Sequence, residues 1–171
     1  LDMHVVYIFG ATGTGKTRGL VETHGNELYR VTDYAHPFDG YNYNSVIAFD
    51  EYHGQLPLPA MLDYLDIYPA ELPSRYSNKF ICYNLAYIVS NLPLEAIYEG
   101  YRTSGNSGDM NAYKAWLRRI HEVWYYAEDG TITKYDSVEK YLKRNEKFHP
   151  VDSDTKPPFE EENDSEVHTN E

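Results

Sequence analysis

Apolar positions along the chain fall into short continuous runs separated by stretches of helical period. His4-Val5-Val6-Tyr7-Ile8-Phe9, Ser45-Val46-Ile47-Ala48-Phe49 and Leu85-Ala86-Tyr87-Ile88-Val89 are apolar at nearly every position, which predicts strands covered on both faces. A helix is predicted from Lys16 to about Thr23. Another is predicted over Pro57–Tyr68, where Leu58, Met61, Leu62, Leu65 and Tyr68 recur at helical spacing before Pro69. Asp33 to Asn44 reads as loop, Glu71 to Tyr83 as extended chain turning near Ser77-Asn78, and Glu95 to Glu99 as a helical turn. A Gly/Ser/Asn loop at 103–109 precedes a helix over Ala112–His121 with Trp116, Leu117 and Ile120 on its apolar side. Val123–Tyr126 and Thr131–Tyr135 read as strands turning at Asp129-Gly130, and Asp136-x-x-Glu139 as a capping-box start to a last helix ending near Arg144. Buried strands alternating with helices predict an α/β fold with a parallel sheet flanked by helices.

Composition narrows the class. Of 171 residues, 42% are apolar, enough for a core, and the lone Cys82 excludes an internal disulfide framework. No run approaches the ~18 apolar residues of a membrane span, and the lone cysteine suits a reducing, cytoplasmic setting. The net charge of −12 is uneven: from Asp152 to Glu171 eight acids stand against Lys156 alone. Residues 1–150 are therefore read as the folded domain and 151–171 as a disordered acidic tail. The folded part is only mildly acidic, so any nucleic-acid surface must be local. A chain that starts almost directly on a core strand reads as a module cut from a longer protein. The 18 tyrosines read mostly as packing at the edge of the core, and the seven histidines show no metal-ligand spacing.

The chemistry is concentrated in a few segments. Gly10-Ala11-Thr12-Gly13-Thr14-Gly15-Lys16-Thr17 matches G-x-x-x-x-G-K-[ST] between an apolar strand and a helix, the context in which backbone N–H groups and a helix N-terminus cradle phosphates. Lys16 is expected to reach the β- and γ-phosphates of ATP, and the Thr17 hydroxyl to hold Mg²⁺. Asp50 and Glu51 end the second apolar run. Asp50 suits a magnesium-bound water and Glu51 a general base for the attacking water. Asn91 ends the third run, where it is either a bridge between γ-phosphate and water or simply a turn former before Leu92-Pro93. Arg118-Arg119 is either a solvated helix face or an arginine finger for a neighbouring subunit. Arg75-Tyr76-Ser77-Asn78-Lys79 is either an ordinary exposed loop or a tip where Arg75 and Lys79 grip phosphates while the Tyr76 ring contacts a sugar or base.

Taken in order, G-A-T-G-T-G-K-T, V-I-A-F-D-E-Y, L-P-S-R-Y-S-N-K, Y-I-V-S-N-L-P and W-L-R-R-I-H resemble the superfamily-three helicase domain of rolling-circle replication initiators, the Rep proteins of circoviruses. The R-Y-x-N-K and L-R-R-I-H segments are more similar to Rep proteins of bacterial plasmids and integrated elements. The resemblance covers about residues 4–126. It implies a P-loop NTPase core of AAA+-like type that uses ATP and Mg²⁺, forms a hexameric ring on single-stranded DNA and unwinds duplex 3′-to-5′. By motif, Lys16 and Thr17 fall in Walker A, Asp50 and Glu51 in Walker B, Arg75 and Lys79 in the DNA-contacting segment. Asn91 falls at the sensor, and one of Arg118 and Arg119 at the finger. Circoviral relatives have a Lys-Gly-Gly-like tip where this chain has Arg75-Tyr76-Ser77, so the resemblance does not assign the main DNA contact to one residue. Such initiators also carry an N-terminal endonuclease; no nicking activity is expected of these residues. Two other readings are a small P-loop kinase and a nucleotide-dependent DNA-binding assembly module that does not translocate.

Overall fold

The computed structural model describes residues 2–68, 70–103 and 110–146. The predicted acidic tail and most of the 103–109 loop lie outside them. In chain order the elements are β1 (His4–Gly10), α1 (Lys16–His24), β2 (Leu28–Val31), β3 (Val46–Phe49), α2 (Leu58–Tyr64), β4 (Glu71–Leu72), β5 (Lys79–Phe80) and β6 (Leu85–Ser90). They continue with α3 (Leu94–Thr103), α4 (Met110–Arg119), β7 (Glu122–Tyr126), β8 (Ile132–Tyr135) and α5 (Val138–Leu142).

Six strands form one sheet in the order β2-β3-β6-β1-β7-β8. All pairings are parallel except β7 with β8, which are antiparallel neighbours across the turn at Gly130. The continuous apolar runs have a direct cause. Along β1, Val5, Tyr7 and Phe9 face a large core, while Val6 and Ile8 face a second cluster with Leu20 of α1. Leu58 and Met61 of α2, Ile97 of α3, Trp116 of α4 and Tyr141 of α5 complete the large core. Both faces are covered, so period-two alternation disappears from the sequence. The chain is thus an α/β fold with a mostly parallel sheet flanked by helices, of the P-loop NTPase kind.

Local physics explains where element bounds move from those predicted. α2 stops at Tyr64, with Leu65 already out of helical geometry; beyond it the Asp66 carboxylate accepts the Ile67 backbone N–H at 2.7 Å, a local bond that competes with helix continuation. Tyr68 consequently stands out at 71% exposure instead of joining the helix face. α3 is a full helix rather than one turn, buried through Leu94, Ile97 and Tyr101. The last helix is capped by Ser137, whose Oγ accepts from the Lys140 N–H at 3.1 Å. The expected capping residue, Asp136, bonds the Lys140 ammonium instead. Edge strand β2 was not foreseen: Leu28-Tyr29-Arg30-Val31 is short and carries a charge.

Candidate functional site

Gly10 closes β1 at a point where a side chain is impossible. A Cβ there would lie 2.2 Å from the Tyr126 carbonyl oxygen on neighbouring β7. Gly15, at φ +88°, then turns the chain into α1. No side chain caps α1, so its first backbone N–H groups are left for an external acceptor. The Lys16 ammonium lies inside the loop, 2.7 Å from the carbonyl oxygens of Gly10 and of Ala11 and 3.4 Å from Thr14 Oγ1. Burial lowers its pKa, and the Asp50 carboxylate opposes that shift.

The carboxylates predicted to serve this loop do meet it. Thr17 Oγ1 donates to Asp50 Oδ1 at 2.9 Å, joining the first turn of α1 to the end of β3. Asp50 is 4% exposed, and its other oxygen receives Arg30 Nη2 at 2.7 Å and Nε at 3.2 Å. Glu51 follows at φ +49°, a left-handed conformation that costs a non-glycine residue about 1 kcal/mol. The kink leaves the Glu51 side chain exposed between buried Asp50 and fully buried Tyr52. Because β6 lies between β1 and β3, its last turn opens between the glycine loop and the acids. Asn91 sits there, with Nδ2 donating to Thr12 Oγ1 at 3.1 Å. A cleft of about 200 Å³ runs past Thr12–Arg18, Asp50, Glu51 and Asn91, at the edge where the parallel strands end, the usual ligand edge of such sheets. Thr17 and Asp50 together offer hard oxygen donors, which fit a magnesium ion.

The remaining candidates lie elsewhere. β5 ends at Phe80, shortly before β6 begins, and α4 ends at Arg119, shortly before β7 begins. The two arginines therefore sit toward the edge where β1 and β7 start, while the β4–β5 hairpin packs on the loop after β2. At the hairpin, Arg75 Nε bonds Asp39 Oδ2 at 2.6 Å, and its guanidinium lies 5.3 Å from the centre of the Tyr76 ring. The Arg75 backbone N–H and side chain hold the Asp39 pKa below the usual carboxylate value. Tyr76 is 81% exposed. Lys79 points inward: its ammonium donates to the carbonyl oxygens of Phe38 and Asp39, tying the hairpin to the loop after β2. Arg119 pairs with Asp66 at 3.3 Å, whereas Arg118 is exposed and makes no hydrogen bond or ion pair among the described residues.

With the site in view, comparison with known proteins gives a consistent result. The chain is similar to viral replication-associated proteins. It is 26% identical over 137 residues to that of pigeon circovirus, 29% over 148 residues to that of canary circovirus, and 30% over 122 residues to that of beak and feather disease virus. These alignments cover 80%, 86% and 71% of this chain but 40%, 44% and 38% of the relatives. The chain thus spans less than half the length of the curated relatives it matches. No family model matches it. Among the described residues, no helix is long and apolar enough to cross a membrane, and no group of three or more His, Cys, Asp or Glu side chains is placed to hold a metal ion.

Sequence reading missed Arg30, because β2 itself was missed. It also undervalued the tyrosines as packing. Tyr7 donates to the Leu92 carbonyl at 2.6 Å, Tyr34 to that of Asp50 at 2.7 Å and Tyr52 to that of Leu56 at 2.8 Å. Each phenol fastens a loop that carries or flanks a cleft residue, and burial raises the pKa of all three.

Proposed function

We propose that this chain is the ATP-hydrolysing helicase module of a rolling-circle replication initiator, acting on single-stranded DNA within a ring of its own copies and unwinding duplex 3′-to-5′. The observation that carries the reading is the convergence of Lys16, the Thr17–Asp50 hydrogen bond, Glu51 and Asn91 on one cleft. Similarity to replication-associated proteins over most of the chain points to the same setting.

In this reading the uncapped N–H groups of α1 and the glycine loop bind the phosphates. Lys16 exchanges the Gly10 and Ala11 carbonyls for phosphate oxygens, a better match for an ammonium that burial has partly desolvated. Thr17 and Asp50 would hold magnesium, which when bound would supply positive charge beside the phosphates. Glu51, exposed at the cleft beyond the left-handed kink, takes a proton from the attacking water, and Asn91 orients that water against the terminal phosphate. Arg118, exposed and without an ion pair among the described residues, would serve a neighbouring subunit's cleft, with Arg119 beside it. At the hairpin, Arg75 and Tyr76 contact DNA, while Lys79 positions the tip.

Phosphate release measured with and without single-stranded DNA tests the reading. Stimulation by DNA is the expected result. Phosphate transfer to a small acceptor would instead identify a kinase, and nucleotide-dependent DNA binding without turnover would identify an assembly module.

A further inference from the structure

The Asp50 carboxylate is almost wholly buried and accepts four hydrogen bonds. Oδ1 takes the Thr17 hydroxyl at 2.9 Å and the Glu51 N–H at 3.0 Å, and Oδ2 takes both contacts from Arg30. A buried carboxylate without a counter-charge is strongly unfavourable, yet the nearest obvious cation, Lys16, is bonded to loop carbonyls instead. Among the described residues, Arg30 is the only cation bonded to Asp50. It sits on edge strand β2, in register with Ala48 of β3, so its side chain runs along the α1 face of the sheet up to Asp50. Its side chain is 44% exposed, and it can withdraw into solvent without disturbing the core.

We infer that Arg30 is the resident counter-ion of the magnesium site: through Oδ2 it holds Asp50 in place while metal is absent, and its charge opposes the metal's when metal arrives, thereby setting how much magnesium the nucleotide site requires. The inference rests on the nucleotide-binding reading above. Two cations on one carboxylate repel each other, so Arg30 stabilises the empty site at the expense of metal affinity. Merely structural support for β2 would not produce that trade.

Thermal unfolding at saturating ADP across a magnesium titration reads the effect without requiring turnover. Arg30→Met keeps much of the side-chain volume and removes the charge. It should melt at lower temperature than wild type without metal, and its magnesium midpoint should fall about tenfold, the scale expected for removing one partly screened charge beside a divalent ion. Arg30→Lys keeps the charge and should titrate close to wild type. An Arg30→Met midpoint equal to or higher than wild type overturns the inference. Should Arg30→Met be unfolded without metal, recovery on adding magnesium and ADP supports the inference, and failure to recover at saturation overturns it. A wild-type chain that shows no magnesium-dependent stabilisation by ADP overturns the nucleotide reading itself. A normal wild-type response with an unshifted variant overturns only the role of Arg30.

Discussion

At the scale of single residues, the site holds charge and strain where water or a phosphate is expected. Lys16 is buried and bonded only to neutral oxygens of its own loop. Lys16→Ala should therefore leave the fold intact while nucleotide affinity falls at least about tenfold, the loss expected for one charge-assisted contact; titration with a fluorescent ADP checks this. Glu51 retains a left-handed backbone that glycine would adopt without strain. On the proposed role of Glu51 as general base, Glu51→Gly should keep or slightly raise the unfolding temperature while abolishing turnover. A clear loss of stability would show that the Glu51 side chain has a structural task instead. The Asp39 contact adds a pH dependence. Its pKa is depressed by the Arg75 backbone and side chain, so the contribution is full above the unfolded carboxylate value of about 3.9 and disappears as pH falls through the lower folded value. The hairpin should stay clamped throughout the neutral range and loosen only in acid, as amide exchange of residues 73–79 would show.

At the scale of elements, the hairpin separates two roles that a run of cations merges. Arg75 and Tyr76 are exposed at the tip, whereas the Lys79 ammonium is held by the carbonyls of residues 38 and 39. Arg75→Ala should weaken single-stranded DNA binding and flatten its salt dependence by about one unit of slope, with ATP binding unchanged. Lys79→Met should loosen the loop after β2 as well and lower thermal stability more than Arg75→Ala, which keeps the residue-75 backbone N–H contact to Asp39. The sequence separated these elements unevenly. β1, β3 and β6 were legible because two-sided burial makes each a solid apolar run, and the glycine loop was legible because its glycine–lysine spacing between a strand and a helix is itself a distinctive pattern. β2 was not, since an edge strand of four residues containing Arg30 has no such run. Lys79 looked like an outward cation because nothing local marks the carbonyls of Phe38 and Asp39 as its partners, which lie forty residues away in sequence. Ser137 displaced Asp136 as the cap for a similar reason: either side chain suits the role, and only the helix start decides between them.

At the scale of the whole molecule, the hairpin that carries Arg75 and Tyr76 is tied to the loop after β2, and Tyr34 of that loop donates to the Asp50 carbonyl beside the cleft. Arg118 is exposed near the edge where parallel strands begin, remote from its own glycine loop. Hydrolysis should accordingly rise with protein concentration. A Lys16→Ala chain mixed with an Arg118→Ala/Arg119→Ala chain should recover activity that neither has alone, because the first donates arginines to the intact cleft of the second. A specific rate independent of concentration, with no recovery on mixing, would return both arginines to an ordinary solvated helix face. The decisive comparison is steady-state phosphate release from ATP at saturating magnesium and single-stranded DNA, wild type against Glu51→Gln, with ATP affinity measured in parallel. Unchanged affinity with turnover slowed by about 10²-fold or more is the expected outcome for loss of a general base, whereas wild-type turnover in Glu51→Gln would contradict the assignment of this cleft as a water-activating ATPase site.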